Sequence, residues 1–143
     1  MLYLQLSIEF KEKLISLYEL SFAKIIILSD SIAEVIINED VEMTLEMVEQ
    51  YHELLLSSLI SPFSLLINKV NNYTYSFDAQ VNLATLSEIN AMAVVAYTSS
   101  TKISTEYLKS SVPRETDWNL KIYSDREEAL NWLKMEQENI TKR

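Results

Sequence analysis

The chain has 143 residues, a formal net charge of −9, one histidine, and neither glycine nor cysteine. These absences exclude phosphate-binding glycine loops, glycine-framed nucleophile elbows, EF-hand loops, disulfides, thiolate nucleophiles and cysteine- or multi-histidine-ligated metal sites. The acidic balance argues against a nucleic-acid partner, and we expect neither a cofactor nor a metal.

Residues 1–14 are predicted to be an N-terminal extension, and residues 15–143 a single domain. The extension is apolar but lacks the basic segment of a signal peptide. No apolar run approaches the roughly 18 residues of a membrane span, so we expect a cytoplasmic protein. Two interpretations of the extension stay open: it covers a sheet edge, or it pairs with its copy in a homo-oligomer.

The first elements are predicted to be strands. Residues 16–20 form the first, and two runs rich in β-branched residues, Ala23–Leu28 and Ile32–Ile37, follow it. The short polar turn between these runs, Ser29-Asp30-Ser31, predicts an antiparallel hairpin.

The apolar residues that follow recur with the spacing of a helix. We predict that Thr44 caps this helix and that it ends before Pro62. Its apolar face comprises Leu45, Val48, His52, Leu55 and Leu59. We interpret His52 as a packed or rim histidine, because the sequence identifies no nucleophile and carboxylate that would make it a general base.

Acidic residues recur at spacings of four, three and four along this predicted helix: Glu42, Glu46, Glu49 and Glu53. They are predicted to form one acidic face. Two interpretations are open: a solvated face that keeps the protein soluble, or a surface for a basic protein partner.

The rest of the chain alternates between strands and helices. The predicted strands are Phe63–Asn68, Ala91–Tyr97 and Leu120–Tyr123. The predicted helices carry Ala79, Leu83 and Leu86; then Ile103, Tyr107 and Leu108 after caps in Ser99-Ser100-Thr101; and last Ala129, Leu130 and Leu133 after a capping box from Ser124 to Glu127. The fold class is therefore α/β: a mixed β-sheet that begins with an antiparallel hairpin and is covered by about four helices.

An aromatic segment lies between the strand at residues 63–68 and the next helix. Within Asn71–Asp78, three aromatic residues alternate with polar ones. We interpret the segment either as a contact surface for a partner or ligand, or as a short strand with one face on the core. The candidate surface residues are Asn72, Tyr73, Tyr75, Phe77 and Asp78.

Further on, Trp118 is expected to cover a sheet edge or to anchor a partner, and Trp132 to lie in the core.

Three stretches carry a family resemblance: Pro62–Asn68, Ala93–Ala96 and, above all, Leu120–Leu133, which reads LKIYSDREEALNWL. They resemble the SpoIIAA-like family, which comprises the STAS domains and their SEC14-like relatives, over roughly residues 15–133. The resemblance implies a mixed sheet with helices and no catalysis, so no catalytic residue is assigned. In the anti-sigma-factor antagonists of this family, a serine at a helix start is phosphorylated.

The residue in that place here is Ser76, which makes it the phosphorylation candidate, although the glycine and the paired serine of the family motif are missing. The resemblance therefore predicts a non-enzymatic, cytoplasmic regulatory module that binds a protein partner. The SEC14-like relatives imply the alternative, a small carrier or sensor of an apolar, lipid-like ligand.

Overall fold

The computed structural model describes residues 16–111 and 118–141. The predicted extension, residues 1–14, lies outside the described residues, and the predicted division into extension and domain stays a prediction. In chain order the described elements are β1 (Ser16–Glu19), β2 (Ala23–Ser29), β3 (Ile32–Ile37), β4 (Glu42–Met43), α1 (Leu45–Ser58), β5 (Phe63–Lys69), β6 (Thr74–Tyr75), α2 (Phe77–Asn82), β7 (Ile89–Ala96), α3 (Ser99–Ser111), β8 (Leu120–Tyr123) and α4 (Arg126–Thr141).

Within this part of the chain, six strands form one mixed sheet in the order β1-β2-β3-β5-β7-β8. The pairs β1–β2 and β2–β3 are antiparallel, whereas β3, β5, β7 and β8 run parallel. The predicted fold class, with its N-terminal hairpin and alternating strand–helix units, is confirmed. Each parallel connection must return the chain to the start of the next strand, so the carboxyl ends of four strands share one edge.

Both faces of the sheet are covered, and they form two cores. On one face, hereafter the first face, Leu65 of β5 packs in a core that includes Val48 and Leu55 of α1. On the second face, Leu66 of β5 packs with Leu133 of α4. Successive residues of a strand point to opposite faces. Burying each such leucine contributes about 1.5–3 kcal/mol.

A second, two-stranded sheet contains a short strand in the aromatic segment, which was one of the two interpretations of that segment, but its pairing with β4 was not predicted. Strands β4 and β6 pair in parallel, with Glu42 opposite Thr74 and Met43 opposite Tyr75. The pairing places Glu42 in a strand before α1, so the predicted acidic helix face was wrong at that residue. Glu46 and Glu49 are exposed on α1, as is Glu53.

Two predicted caps were wrong by one residue or more. The N–H of Glu128 donates to the carboxylate of Asp125 at 3.0 Å, so Asp125 rather than Ser124 caps α4. The N–H of Thr101 donates to the hydroxyl of Thr98 at 3.1 Å, so the cap of α3 precedes the predicted serines. Thr44 caps α1 as predicted, accepting from the N–H of Met47 at 3.3 Å.

The middle helices also differ from the prediction. Helix α2 ends at Asn82, so Leu83 and Leu86 follow it instead of continuing it. Ala84 next takes a left-handed backbone with φ of 53°, a conformation that costs a residue with a β-carbon about 1–2 kcal/mol. On α3, Ile103 and Tyr107 are exposed, because this helix turns chiefly Thr105 and Leu108 toward the sheet.

No helix within the described ranges is long and apolar enough to cross a bilayer. The predicted cytoplasmic location stays a prediction.

Candidate functional site

A groove opens at the sheet edge where the parallel strands end. It measures about 450 Å³ and is lined by residues from three parts of the chain: Asp40, Val41, Lys69, Asn71, Asn72, Tyr73, Thr74, Ser100, Thr101 and Ser104. In open α/β sheets, ligands bind beyond the carboxyl ends of the strands. The volume also lies within the range of about 300–1,000 Å³ that is usual for ligand sites. The groove is therefore the candidate site.

An apolar cavity lies behind the groove, between the first face of the sheet and its helices. It measures about 30 Å³, and its walls include Ile67 and Val94 of the sheet and Tyr51 of α1. Lys69 and Tyr73 line both the cavity and the groove. A volume of this size holds about two water molecules, so the surrounding side chains leave a small space unfilled.

Two tyrosines from the predicted aromatic segment form the boundary. The hydroxyl of Tyr75 donates to the hydroxyl oxygen of Tyr73 at 3.3 Å, and the two rings meet edge to face at 5.5 Å. Burial raises the pKa of both phenols and that of Tyr51. All three side chains are therefore neutral at physiological pH and can act as hydrogen-bond donors.

Lys69 supplies the positive charge of the site. It is the last residue of β5, and its Nζ lies 5.3 Å from the ring centroid of Tyr73 and 5.7 Å from that of Tyr75. Burial lowers the pKa of this ammonium to about 8. Within the described residues, no carboxylate pairs with Lys69. The aromatic rings offset only part of its lost hydration.

The structure divides the predicted contact surface. Tyr73 lines both the groove and the cavity, Tyr75 lines the cavity, and Asn72 lines the groove. Phe77 and Asp78 lie outside on the first turn of α2, where the side chain of Phe77 is 76% exposed. Whether these residues bind a ligand or a partner stays a prediction.

Ser76, the predicted phosphorylation candidate, has a local structural role. Its hydroxyl accepts the N–H of Ala79 at 3.2 Å and caps α2. We expect Ser76→Ala to lower the free energy of unfolding by about 1 kcal/mol, because one N–H at the helix start loses its acceptor. Urea denaturation measures the change. Ser76→Asp keeps an acceptor and should stay near the wild-type value; equal losses in both variants would contradict the capping role.

The sequence identified the two tyrosines but missed Lys69 and the opposite wall at Ser100, Thr101 and Ser104. A lysine directly after an apolar strand was the signal available for Lys69, because charge at the carboxyl end of a buried strand is unusual within a core. Trp118, for which two interpretations were open, lines the cavity, and its indole N–H donates to the carbonyl of Ala84 at 3.2 Å. Trp132 is buried, as predicted.

Within the described residues, His52 does not line the groove. His52 is 8% exposed and packs edge to face against Tyr51, which confirms the packed interpretation. Its Nε2 has no hydrogen-bond partner within the described residues. Residues 16–111 and 118–141 contain no cluster of three or more acidic or histidine side chains placed to hold a metal ion.

Comparison with known proteins gives a structural likeness. No family model matches this chain, and no curated protein matches it. Among solved structures, it is similar to an uncharacterised protein from the DUF3478 family with a SpoIIAA-like fold, from Shewanella loihica PV-4. The two sequences are 18% identical, the match covers 83% of this chain and 91% of that one, and the TM-score is 0.47.

Proposed function

We propose that this chain is a non-catalytic domain that binds a small ligand, as a sensor or carrier, in the groove and the cavity behind it. One observation carries the proposal: the groove of about 450 Å³ and the apolar cavity behind it share Lys69 and Tyr73 as wall residues. Ligand sites typically combine an apolar wall with a few polar groups that fix orientation. Here the hydroxyls of Ser100, Thr101 and Ser104 supply part of the polar wall.

The proposal gives a direct expectation for a blocked groove. Ser104 is exposed on α3 and lines the groove, so Ser104→Trp should fill it without disturbing the core. Wild-type protein, purified without detergent and equilibrated with a small-molecule extract of its source cells, should carry a stoichiometric adduct in native mass spectrometry. Ser104→Trp should lose that adduct.

Ser57→Trp provides the matched control, because Ser57 is exposed near the far end of α1 and does not line the groove. This variant should retain the adduct. A wild-type protein without any adduct, or an adduct that persists in Ser104→Trp, would contradict the proposed site.

A second candidate function, a regulatory module that binds a protein partner, is favoured by Phe77. A phenylalanine that is 76% exposed at the start of α2 can anchor a partner, since aromatic residues are enriched at interface hot spots. In a pull-down from the source cells, Phe77→Ser should lose a partner that wild type and Tyr107→Ser retain. Tyr107 is the matched control, because it is a similarly exposed aromatic residue on α3.

A further inference from the structure

We infer that the ligand is a small amphipathic anion, whose carboxylate or phosphate binds Lys69 and whose apolar end enters the cavity. The inference rests on the proposed function and names the chemical class of its ligand. It depends on where the ammonium group lies, on what surrounds it and on how little space the cavity offers.

Lys69 is a cation that forms no ion pair within the described residues. Two aromatic rings lie beside it, with Nζ at 5.3 Å from the Tyr73 centroid and 5.7 Å from the Tyr75 centroid. Asp40 is the other charged residue of the groove lining, and no ion pair joins it to Lys69 within the described residues. A partly dehydrated ammonium gains most from a ligand that brings a negative charge, because charge-assisted hydrogen bonds are about twice as strong as neutral ones.

The lack of a carboxylate partner for Lys69 lowers the stability of the free protein. The protein carries a net charge of −9, yet none of its carboxylates in the described part pairs with Lys69. A methionine would fill similar space without the cost of removing a charge from water. The unpaired lysine therefore weakens the free protein, and binding of an anion would offset that cost.

The groove adds donors on the side opposite Lys69. Ser100, Thr101 and Ser104 line it, and they belong to the first turns of α3. The hydroxyl of Ser104 already donates to the carbonyl of Thr101 at 3.1 Å, whereas the hydroxyl of Thr101 accepts from that of Thr98 at 2.9 Å and keeps its own proton to donate. Hydroxyls can donate to carboxylate or phosphate oxygens. An anion between Lys69 and this wall would therefore have a cation on one side and neutral donors on the other.

The size of the cavity limits the apolar end of the ligand. A cavity of about 30 Å³ accommodates a group of very few carbon atoms unless the walls move. A long acyl chain would have to displace buried residues such as Leu83 and Met92. The inference therefore favours a short amphipathic anion over the lipid-like ligand that the SEC14-like resemblance implied.

The test uses four probes with the same four-carbon chain: butanoate, butyl phosphate, 1-butanol and butylamine. Their affinities are measured at pH 7 by following amide signals in NMR titrations of the full chain. We expect both anions to bind at least about tenfold more tightly than butanol, and butylamine to bind most weakly. Lys69→Met should weaken binding of the anions by about ten- to a hundredfold and leave butanol unchanged.

Lys24→Met is the matched control. Lys24 is exposed on β2, so this variant removes the same charge away from the groove and should bind all four probes as wild type does. Without ligand, Lys69→Met should also melt at a higher temperature than wild type, because a half-buried cation without an anionic partner has been removed. A lysine with a purely structural role would give the opposite shift.

The affinity of wild type for butanoate should also fall as the pH rises above about 8, where free Lys69 loses its proton. The groups that face this ammonium are Asp40 in the groove and the phenols of Tyr51, Tyr73 and Tyr75. Burial raises the pKa of all three phenols, so they stay neutral through this range.

The outcomes separate this inference from the proposed function. Equal binding of butanol and butanoate would overturn the inference and leave a ligand site in place. An unchanged butanoate affinity in Lys69→Met would overturn it as well. Failure of all four probes to bind would also overturn it, whereas the native mass measurement on wild type and Ser104→Trp decides the proposed function separately.

Discussion

Arg126→Met is expected to lower the free energy of unfolding by about 2–4 kcal/mol, because it removes the charged partner of a buried carboxylate. The guanidinium of Arg126 donates to both carboxylate oxygens of Glu34, with Nη2 at 2.6 Å from Oε1 and Nε at 3.1 Å from Oε2. The side chain of Glu34 is 4% exposed, whereas that of Arg126 is 42% exposed. Removing the arginine would leave a buried carboxylate with a single neutral donor.

That remaining donor is the amide of Asn68, whose Nδ2 lies 2.8 Å from Oε2 of Glu34. One neutral hydrogen bond does not replace the hydration of a carboxylate, so we expect most of the stabilisation that Arg126 gives to the Glu34 carboxylate to be lost. The upper half of the usual range for broken buried pairs is not expected, because water reaches the exposed side of the arginine.

A double-mutant cycle measured by urea denaturation tests this account. Glu34→Gln combined with Arg126→Met should recover much of the stability lost in Arg126→Met alone, since no charge stays buried. Lys102→Met, which removes an exposed cation from α3, should change the free energy of unfolding by less than about 0.5 kcal/mol. Additive losses in the double variant would show that Glu34 and Arg126 do not act as a pair.

This network also explains how the site is held in position. Asn68 and Lys69 are consecutive residues of β5, so they point to opposite faces of the sheet. On the second face, Asn68 donates to Glu34 and accepts from the hydroxyl of Tyr97 at 2.8 Å. The end of β5 is thereby fixed to its neighbours, and Lys69 is directed to the first face, where the cavity lies.

The order of elements was predictable because long hydrophobic periods and caps are local signals. Thr44 is a clear example, since a threonine before an amphipathic stretch identifies the helix start and the structure confirms it. The cap of α4 shows the limit of such signals. Ser124 and Asp125 are each followed three residues later by a glutamate, so the sequence offers two equivalent capping boxes. Only the path of the chain from β8 decides in favour of Asp125.

The candidate site was less predictable, because its walls come from distant parts of the chain. The pairing of β4 with β6 involves two residues on each side, which is too short to give a hydrophobic pattern. That pairing nevertheless determines where Tyr75 lies relative to Tyr51. The unsatisfied charge of Lys69 is likewise a property of its surroundings, and no single stretch of sequence encodes it.

The stability of the protein is expected to fall by about 3 kcal/mol as the pH is lowered from about 7 to 4, through the protonation of His52 alone. Burial lowers the pKa of His52 to about 4, from an ordinary value of 6.5. The unfolded chain therefore takes up a proton at a pH where the folded protein does not. Between the two values the unfolded state is progressively favoured as the pH falls, and below about 4 the effect levels off.

The matched variant is His52→Gln, which removes the titrating group at the same buried position. Carboxylates titrate in the same range, so the decisive quantity is the difference between the free energies of unfolding of the variant and of wild type at each pH. That difference should be nearly constant above pH 7 and shift in favour of His52→Gln by about 3 kcal/mol toward pH 4. Burial gives the physical reason: Nε2 has no hydrogen-bond partner within the described residues, so a charged imidazole would lose its hydration without gaining a hydrogen bond at that atom. A difference that stays flat across this range would mean that His52 charges without penalty in the folded state.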